Sequence, residues 1–361
     1  MSDILVIGGG IIGLLTAHEL TRAGASVALV EMGATGRESS WAGGGIISPL
    51  YPWRYADAVT ALARWSQHIY PQLCSDLAEE TGVDPEYLNS GLLVLDVEDH
   101  EEAVGWAHRQ GANLEVISGE TLRATEPELA PEPDRAVWMP DVGQVRNPRL
   151  VRSLRRSVEK HIRIREQEEV VELLVENGCA RGARTSKGTI EAERVVICTG
   201  AWTAKLLEQF GERPDIEPVR GQMILFYAKP GQVRHVVLYH ERYVIPRRDG
   251  RILIGSTLEE AGFDKATTAE AKEALYRTAV EMFPLLKRTP IEDHWAGLRP
   301  ASPSGIPYIG AYPGIEGLYF NAGHFRNGLV TGPASARLAA DLVLGRQPVV
   351  DPAPYELDAH R

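Results

Sequence analysis

Ile4-Leu5-Val6-Ile7-Gly8-Gly9-Gly10-Ile11-Ile12-Gly13 decides how this chain begins to fold. Asp3 to Ile7 reads as a short buried strand, Gly8 to Gly13 as a tight turn, Ile11 to Ala23 as a helix and Ser26 to Glu31 as a second strand. Together they make a β-α-β unit of about 30 residues. The glycines fit G-x-G-x-x-G, and each has a physical task. Gly8 permits the turn, Gly10 lets backbone approach a pyrophosphate, and Gly13 allows close packing of helix on strand. The helix N-terminus adds N–H donors and the positive end of a dipole. Glu31, closing the second strand, would accept hydrogen bonds from ribose hydroxyls and repel a 2′-phosphate. Strand, turn, helix and acid in this order give the glycine pattern its meaning: a dinucleotide site, with the choice between FAD and NAD left open.

Outward from this unit, the chain has 361 residues, against roughly 150 per domain, so two domains are expected. With 44% apolar and 24% charged residues, the composition is that of a globular protein. A formal charge of −11 argues against nucleic acid or an anionic membrane as partner. An anionic substrate would then need a local cluster of cations. Cys74, Cys179 and Cys198 have spacings that suit neither a metal site nor a disulfide framework, which points to a reducing, cytoplasmic setting. The apolar run Ile4 to Ala17 follows Asp3 rather than a basic segment and is broken by glycines, which argues against a signal peptide. No apolar run approaches the roughly 20 residues of a membrane span. His240-Glu241 lacks a second histidine at helical spacing, so a zinc hydrolase is excluded and no metal is expected.

Further on, Gly33 to Ser48 is a long Gly/Ser-rich loop, of the kind that usually carries function. Helices are expected at Tyr51–Thr81, Glu101–Gln110, Arg149–Lys160, Ala269–Phe283 and after Gly328. Strands are expected at Gly91–Val97, Glu169–Val175 and Val195–Thr199. The Pro-rich run Glu126–Asp134 marks a boundary. Pro218 to Ile254 is strand-rich, with a hairpin turn at Asp249-Gly250. The motifs lie at both ends and in the middle, so the two domains are interleaved.

Four stretches of this sequence resemble the D-amino-acid oxidase superfamily of flavoproteins. They are the Ile4–Glu31 unit, Cys198-Thr199-Gly200-Ala201-Trp202, Trp295-Ala296-Gly297-Leu298-Arg299-Pro300 and Gly323-His324-Phe325-Arg326-Asn327-Gly328. The last two, with Tyr243-Val244-Ile245-Pro246-Arg247, look most like the glycine oxidase branch associated with thiamine biosynthesis. The resemblance covers nearly the whole chain. It implies an α/β protein, α+β overall, with a Rossmann-type FAD-binding domain (1–82, 143–217 and 295–361) interleaved with a substrate domain (83–142 and 218–294) built on an antiparallel sheet. It also implies oxygen as electron acceptor and a homotetramer. By the same resemblance, FAD would meet Ile11, Ile12, Glu31, Met32, Ser39, Ser40, Gly44, Gly45 and Ile46. Gly200 would provide a close turn, and Val171 would touch the adenine end through its backbone, with Val170 equally placed on register. His324, Phe325, Arg326, Asn327, Gly328, Leu329 and Val330 would lie beside the flavin ring. No cysteine follows Cys198, so the FAD is expected to be non-covalent.

Arg299 is the expected anchor of a substrate carboxylate, since a guanidinium fork pairs with it bidentately. Arg326 would add a second cation and Tyr243 a hydroxyl. No acid–base residue is assigned. A neutral amine would place its Cα–H over the flavin, hydride would leave, and oxygen would be reduced to hydrogen peroxide while the imine hydrolysed to a keto acid. Glycine, sarcosine, D-proline and D-alanine differ by a few methylenes and stay unresolved, as does a quinone in place of oxygen. Residues lining the side-chain space are expected from Gly45–Pro49, Met223–Tyr227 and Leu258–Phe263.

Overall fold

Alternation along the first strand sets the layers of the molecule. In Ile4–Ile7, Ile4 and Val6 face a cluster with the helix Ile11–Arg22, while Leu5 and Ile7 face a different cluster on the other side. Both faces are apolar because both are covered, as expected for a parallel sheet. The computed structural model describes residues 3–360 apart from positions 96, 132, 212 and 213. Two of the expectations above, the strand Gly91–Val97 and the boundary run Glu126–Asp134, each include one position outside the described residues.

The first sheet has six strands in the order Tyr308–Ala311, Leu318–Ala322, Arg194–Ile197, Ile4–Ile7, Val27–Val30 and Ile164–Arg165. All neighbours are parallel except the first pair, which is antiparallel. Helices Ile11–Arg22, Asn147–Glu159 and Gly332–Leu344 contribute to the cluster on one face. The opposite face packs on a three-stranded antiparallel sheet, Val170–Glu176, Cys179–Thr185 and Gly188–Glu191, through Leu173, Ala183 and Ile190.

The second large sheet has eight strands, ordered Ile291–Ala301, Glu217–Tyr227, Arg251–Gly255, Arg242–Pro246, Val236–Tyr239, Leu92–Leu95, Ala136–Met139 and Glu115–Ile117. It is antiparallel as expected, with one exception: Val236–Tyr239 runs parallel to Leu92–Leu95. One face is closed by the helix Ala269–Met282 through Leu275, Ala279 and Met282. The other carries Met223, Tyr243 and Ile245, packed with Ile46, Leu50 and Trp53 from the loop region after the second strand. The strands of the two large sheets alternate along the chain. This is a Rossmann-type domain interleaved with a second domain built on a largely antiparallel sheet.

Several boundaries moved. The Gly33–Ser48 loop contains a four-residue helix, Ser39–Ala42. The helix expected from Tyr51 begins at Asp57, after a 3-10 turn at Pro52–Arg54. The last helix begins at Gly332, with turns between Gly328 and Thr331.

Candidate functional site

The glycine turn behaves as its sequence demands. Gly8 has φ +103, and a Cβ there would meet the Cys198 carbonyl oxygen at 2.5 Å. At Gly13 a Cβ would collide with the Gly8 carbonyl, so the helix can pack this closely only on glycine. The helix Ile11–Arg22 has no side-chain cap and no acid in its first turn, which leaves its positive end to an anion. One donor there is taken: Ile11 N–H donates to Ser40 Oγ at 2.8 Å. Glu31 accepts from Gly9 N–H at 2.7 Å and Gly33 N–H at 2.8 Å. Burial raises its pKa, and those two N–H groups oppose the rise.

This turn forms one wall of a cavity of about 700 Å³. Its lining includes Glu31, Met32, Val170 and Val171 as well as Tyr243, Arg299 and Arg326. Most of the expected residues meet here: Gly8, Gly10, Ile11, Ile12, Glu31, Met32, Ser39, Ser40, Gly44, Gly45, Ile46, Val171, Gly200, His324, Phe325, Arg326, Gly328, Leu329, Tyr243 and Arg299 all line it. Gly13, Asn327 and Val330 do not; they lie behind the wall. Of the three segments expected around the side-chain space, Gly45, Ile46, Ser48 and Met223 line the cavity, whereas none of Leu258–Phe263 does. Leu258 is 57% exposed, because the next residue, Glu259, is tied to Arg220 at 2.6 Å instead.

Arg299 comes from the long strand Ile291–Ala301, opposite Val219 on the neighbouring strand. Its guanidinium donates to Ser256 Oγ at 2.6 Å and to the Thr257 carbonyl at 3.2 Å. It lies across the bare backbone of Gly221: a Cβ there would fall 2.1–2.3 Å from Cζ, Nη1 and Nη2. Burial lowers the Arg299 pKa, the nearby Tyr243 opposes this, and Arg326 adds to it as a second positive charge. Two guanidinium groups, Arg299 and Arg326, therefore face one cavity, and among the described residues neither makes an ion pair. Tyr243 packs beside Gly44 and Gly255 and donates its hydroxyl to Met223 Sδ at 3.8 Å. His324 is 2% exposed, and burial pushes its pKa down to about 3, so it is neutral. Cys198, also on the wall, is pushed up to about 12 by burial.

Sequence reasoning missed Gly221, Ser256, Asn147 and Asn321, which also line the cavity. A glycine inside an apolar strand signals close approach of another group, so Gly221 was within reach. Ser256 carries no such signal. Asn147 Oδ1, Asn321 Oδ1 and His324 Nε2 are buried with no hydrogen-bond partner. Buried polar atoms are nearly always paired, and these three border the same cavity. An uncapped helix end, glycines that admit backbone approach, a paired acid and unsatisfied polar atoms along the wall suit a long dinucleotide with a polar ring system.

A family model described as FAD dependent oxidoreductase matches residues 3–342. The chain belongs to this family of FAD-dependent oxidoreductases. It is 52% identical to the glycine oxidase of Pseudomonas aeruginosa over 98% of this chain and 97% of that one. It is 30% identical to the bifunctional protein ThiO/ThiG of Synechocystis, covering 96% of this chain and 52% of that protein. Its fold superposes on the crystal structure of glycine oxidase from Geobacillus kaustophilus with a TM-score of 0.95, at 29% identity, over 100% of this chain and 99% of that one. FAD is therefore the cofactor, and the chain is an FAD-dependent amino-acid oxidase by family. No helix among the described residues is long and apolar enough to cross a membrane.

Proposed function

We propose that this protein oxidises glycine, and with it sarcosine, D-proline and D-alanine, to glyoxylate or the matching keto acid, releasing ammonia or an amine and hydrogen peroxide. The observation that carries the reading is the pair of guanidinium groups, Arg299 and Arg326, facing one cavity with no ion pair to either among the described residues.

FAD when bound supplies the two-electron chemistry, taking hydride from the substrate and passing the electrons to oxygen. The chain's own part is to bind, orient and exclude water. Arg299, fixed by Ser256 and Thr257, receives the substrate carboxylate and sets its direction. Arg326 adds charge, and the Tyr243 hydroxyl adds a hydrogen bond. Ile46, Leu50 and Met223 make the neighbouring wall apolar, which strengthens these polar contacts by keeping water out. Burial keeps His324 neutral and Cys198 a thiol, so neither of these wall residues takes a proton from the substrate near neutral pH. The substrate amine therefore arrives already neutral, its lone pair forms the imine as hydride leaves, and water converts the imine to the keto acid. Positioning is the main catalytic contribution.

On this reading FAD would be held without a covalent bond by the cavity-lining residues named above, Glu31 and Val171 toward its adenine end and His324, Phe325, Arg326, Gly328 and Leu329 toward its ring. The accompanying two-part division assigns 1–82, 143–216 and 302–361 to the cofactor and 83–142 and 217–301 to the substrate; the expected limits at 217 and 294 shift because the strands Glu217–Tyr227 and Ile291–Ala301 pair along their length in the eight-stranded sheet. A cytoplasmic homotetramer feeding thiazole synthesis for thiamine is the accompanying proposal. Oxygen uptake with peroxide detection tests the chemistry, using glycine, sarcosine, D-proline, D-alanine and L-alanine in turn. Uptake with the first four and none with L-alanine is expected. Reduction of the cofactor by glycine with no oxygen uptake would move the acceptor to a quinone.

A further inference from the structure

Arg247 ends the motif Tyr243–Arg247, yet it does not line the cavity and the reaction above does not use it. Its side chain nevertheless turns inward. Nη1 donates to Gln144 Oε1 at 2.7 Å and to the Val145 carbonyl at 2.9 Å, and Nη2 donates to the Gly44 carbonyl at 2.6 Å. Among the described residues no carboxylate hydrogen-bonds it. The nearby acids are engaged elsewhere: Asp249 with Arg146 and Arg251, Glu86 with Arg146 and Arg149. Burial lowers its pKa to about 10, so at neutral pH it remains a cation held by three neutral oxygens. A desolvated charge is costly, and it is retained only where its hydrogen bonds are well satisfied.

Those three oxygens belong to two segments far apart in sequence that close on each other. Val145 N–H donates to the Gly45 carbonyl and Ile47 N–H to the Gly143 carbonyl, each at 2.9 Å, and Ile46 bridges to Gln144. Asn147 continues the seam by donating to the Ser40 carbonyl at 3.2 Å. The cavity side of this seam is Gly43-Gly44-Gly45-Ile46. Its glycines have no side chains to fix their own conformation. They also cannot acquire them, since a Cβ at Gly44 would strike Tyr243 and Ile245, and one at Gly45 the Val145 carbonyl. The shape of this wall therefore depends on what holds it from behind.

We propose that Arg247 is a positioning residue for FAD. From the end of a strand of the eight-stranded sheet it pins the glycine wall of the cofactor site, so that the peptide groups of residues 43–46 face the cofactor preorganised. This rests on the FAD reading above, and it adds a residue of the substrate-side sheet whose task is cofactor retention.

The test is FAD affinity rather than turnover. Flavin-depleted protein is titrated with FAD, following quenching of flavin fluorescence, for the unaltered chain, Arg247→Met and Arg247→Lys. Loss of charge-assisted hydrogen bonds should raise the Kd of Arg247→Met by about tenfold or more. Arg247→Lys keeps the charge but not the fork, and should fall between the two. The stabilisation that FAD gives, read as the difference in Tm between loaded and depleted protein, should shrink in the same order. A residue that merely supports the fold would lower both Tm values alike and leave the Kd unchanged, and that result overturns the proposal. If Arg247→Met does not fold, Arg247→Lys decides: an FAD Kd within about twofold of the unaltered chain overturns it. Failure of the unaltered chain to bind FAD would instead overturn the underlying reading.

Discussion

Adding one methyl group at Gly221 should disable the carboxylate anchor while leaving every charge in the site in place. Gly221 lies mid-strand opposite Gly297, and its φ is outside the left-handed region, so alanine can adopt the same backbone. The obstacle is the Arg299 guanidinium, with three atoms 2.1–2.3 Å from where the new carbon would sit. Non-bonded heavy atoms settle at about 3.5–4.0 Å, so the fork must retreat by about 1 Å or more. That movement breaks the 2.6 Å bond to Ser256 Oγ and tilts the fork away from its bidentate geometry. A hydrogen bond to a charged group is worth about 1.5–3 kcal/mol, and a 1 Å misplacement costs up to about 100-fold. Gly221→Ala should therefore raise KM for glycine by about 10- to 100-fold, with a smaller change in kcat. Oxygen-electrode kinetics give both constants. Perturbation of the flavin spectrum by acetate or glycolate reads carboxylate binding separately. Arg299→Ala sets the limit of the effect. A folded, yellow Gly221→Ala protein with unchanged KM and unchanged affinity for these acids would refute Arg299 as the anchor.

Three further outcomes follow from the same geometry. Glu259 holds Arg220 and accepts hydrogen bonds from Gln222 and Thr257, behind the segment that grips Arg299. Glu259→Ala should raise KM severalfold with kcat within about twofold, and a proportional fall of kcat with KM fixed would contradict this role. Because His324 stays neutral and Cys198 stays a thiol across the neutral range, kcat/KM should rise with pH as free amine forms, and a flat profile from about pH 6 to 10 would count against this. His18 is buried, and burial foremost, with Arg22 second, pushes its pKa down to about 4 from 6.5. Its contribution to stability is then present above pH 6.5 and lost as pH falls toward 4, at up to roughly 1.4 kcal/mol per pH unit. Thermal melts across that window should be less pH-sensitive for His18→Gln, and an identical slope would contradict the assignment.

The sequence was most legible where local physics dictates the outcome. Ile4–Glu31 needs a buried strand, a Cβ-free turn and an uncapped helix in immediate succession, and only glycine satisfies the turn. The hairpin around Asp249-Gly250 was visible for the same reason, with Gly250 at φ +87. Non-local pairing was not visible: nothing in Leu92–Leu95 announces that it will lie parallel to Val236–Tyr239. The helix Ser39–Ala42 is too short for periodicity to register. At the site, the place of Arg299 on the cavity wall was legible from residue type and its neighbours. The groups that aim it, Ser256 and Thr257, come from a different strand end and a turn with no distinguishing composition. Loop Leu258–Phe263 was expected on the cavity wall. Arg220 and Gln222 instead draw Glu259 to a position off the cavity wall, and the loop goes with it.

The most direct measurement is anaerobic addition of glycine to the purified yellow protein, followed by admission of oxygen. The account predicts loss of the visible flavin band with glycine, and its return with oxygen together with one hydrogen peroxide and one glyoxylate per glycine consumed. A flavin band that persists with glycine and with each of the D-substrates would contradict it.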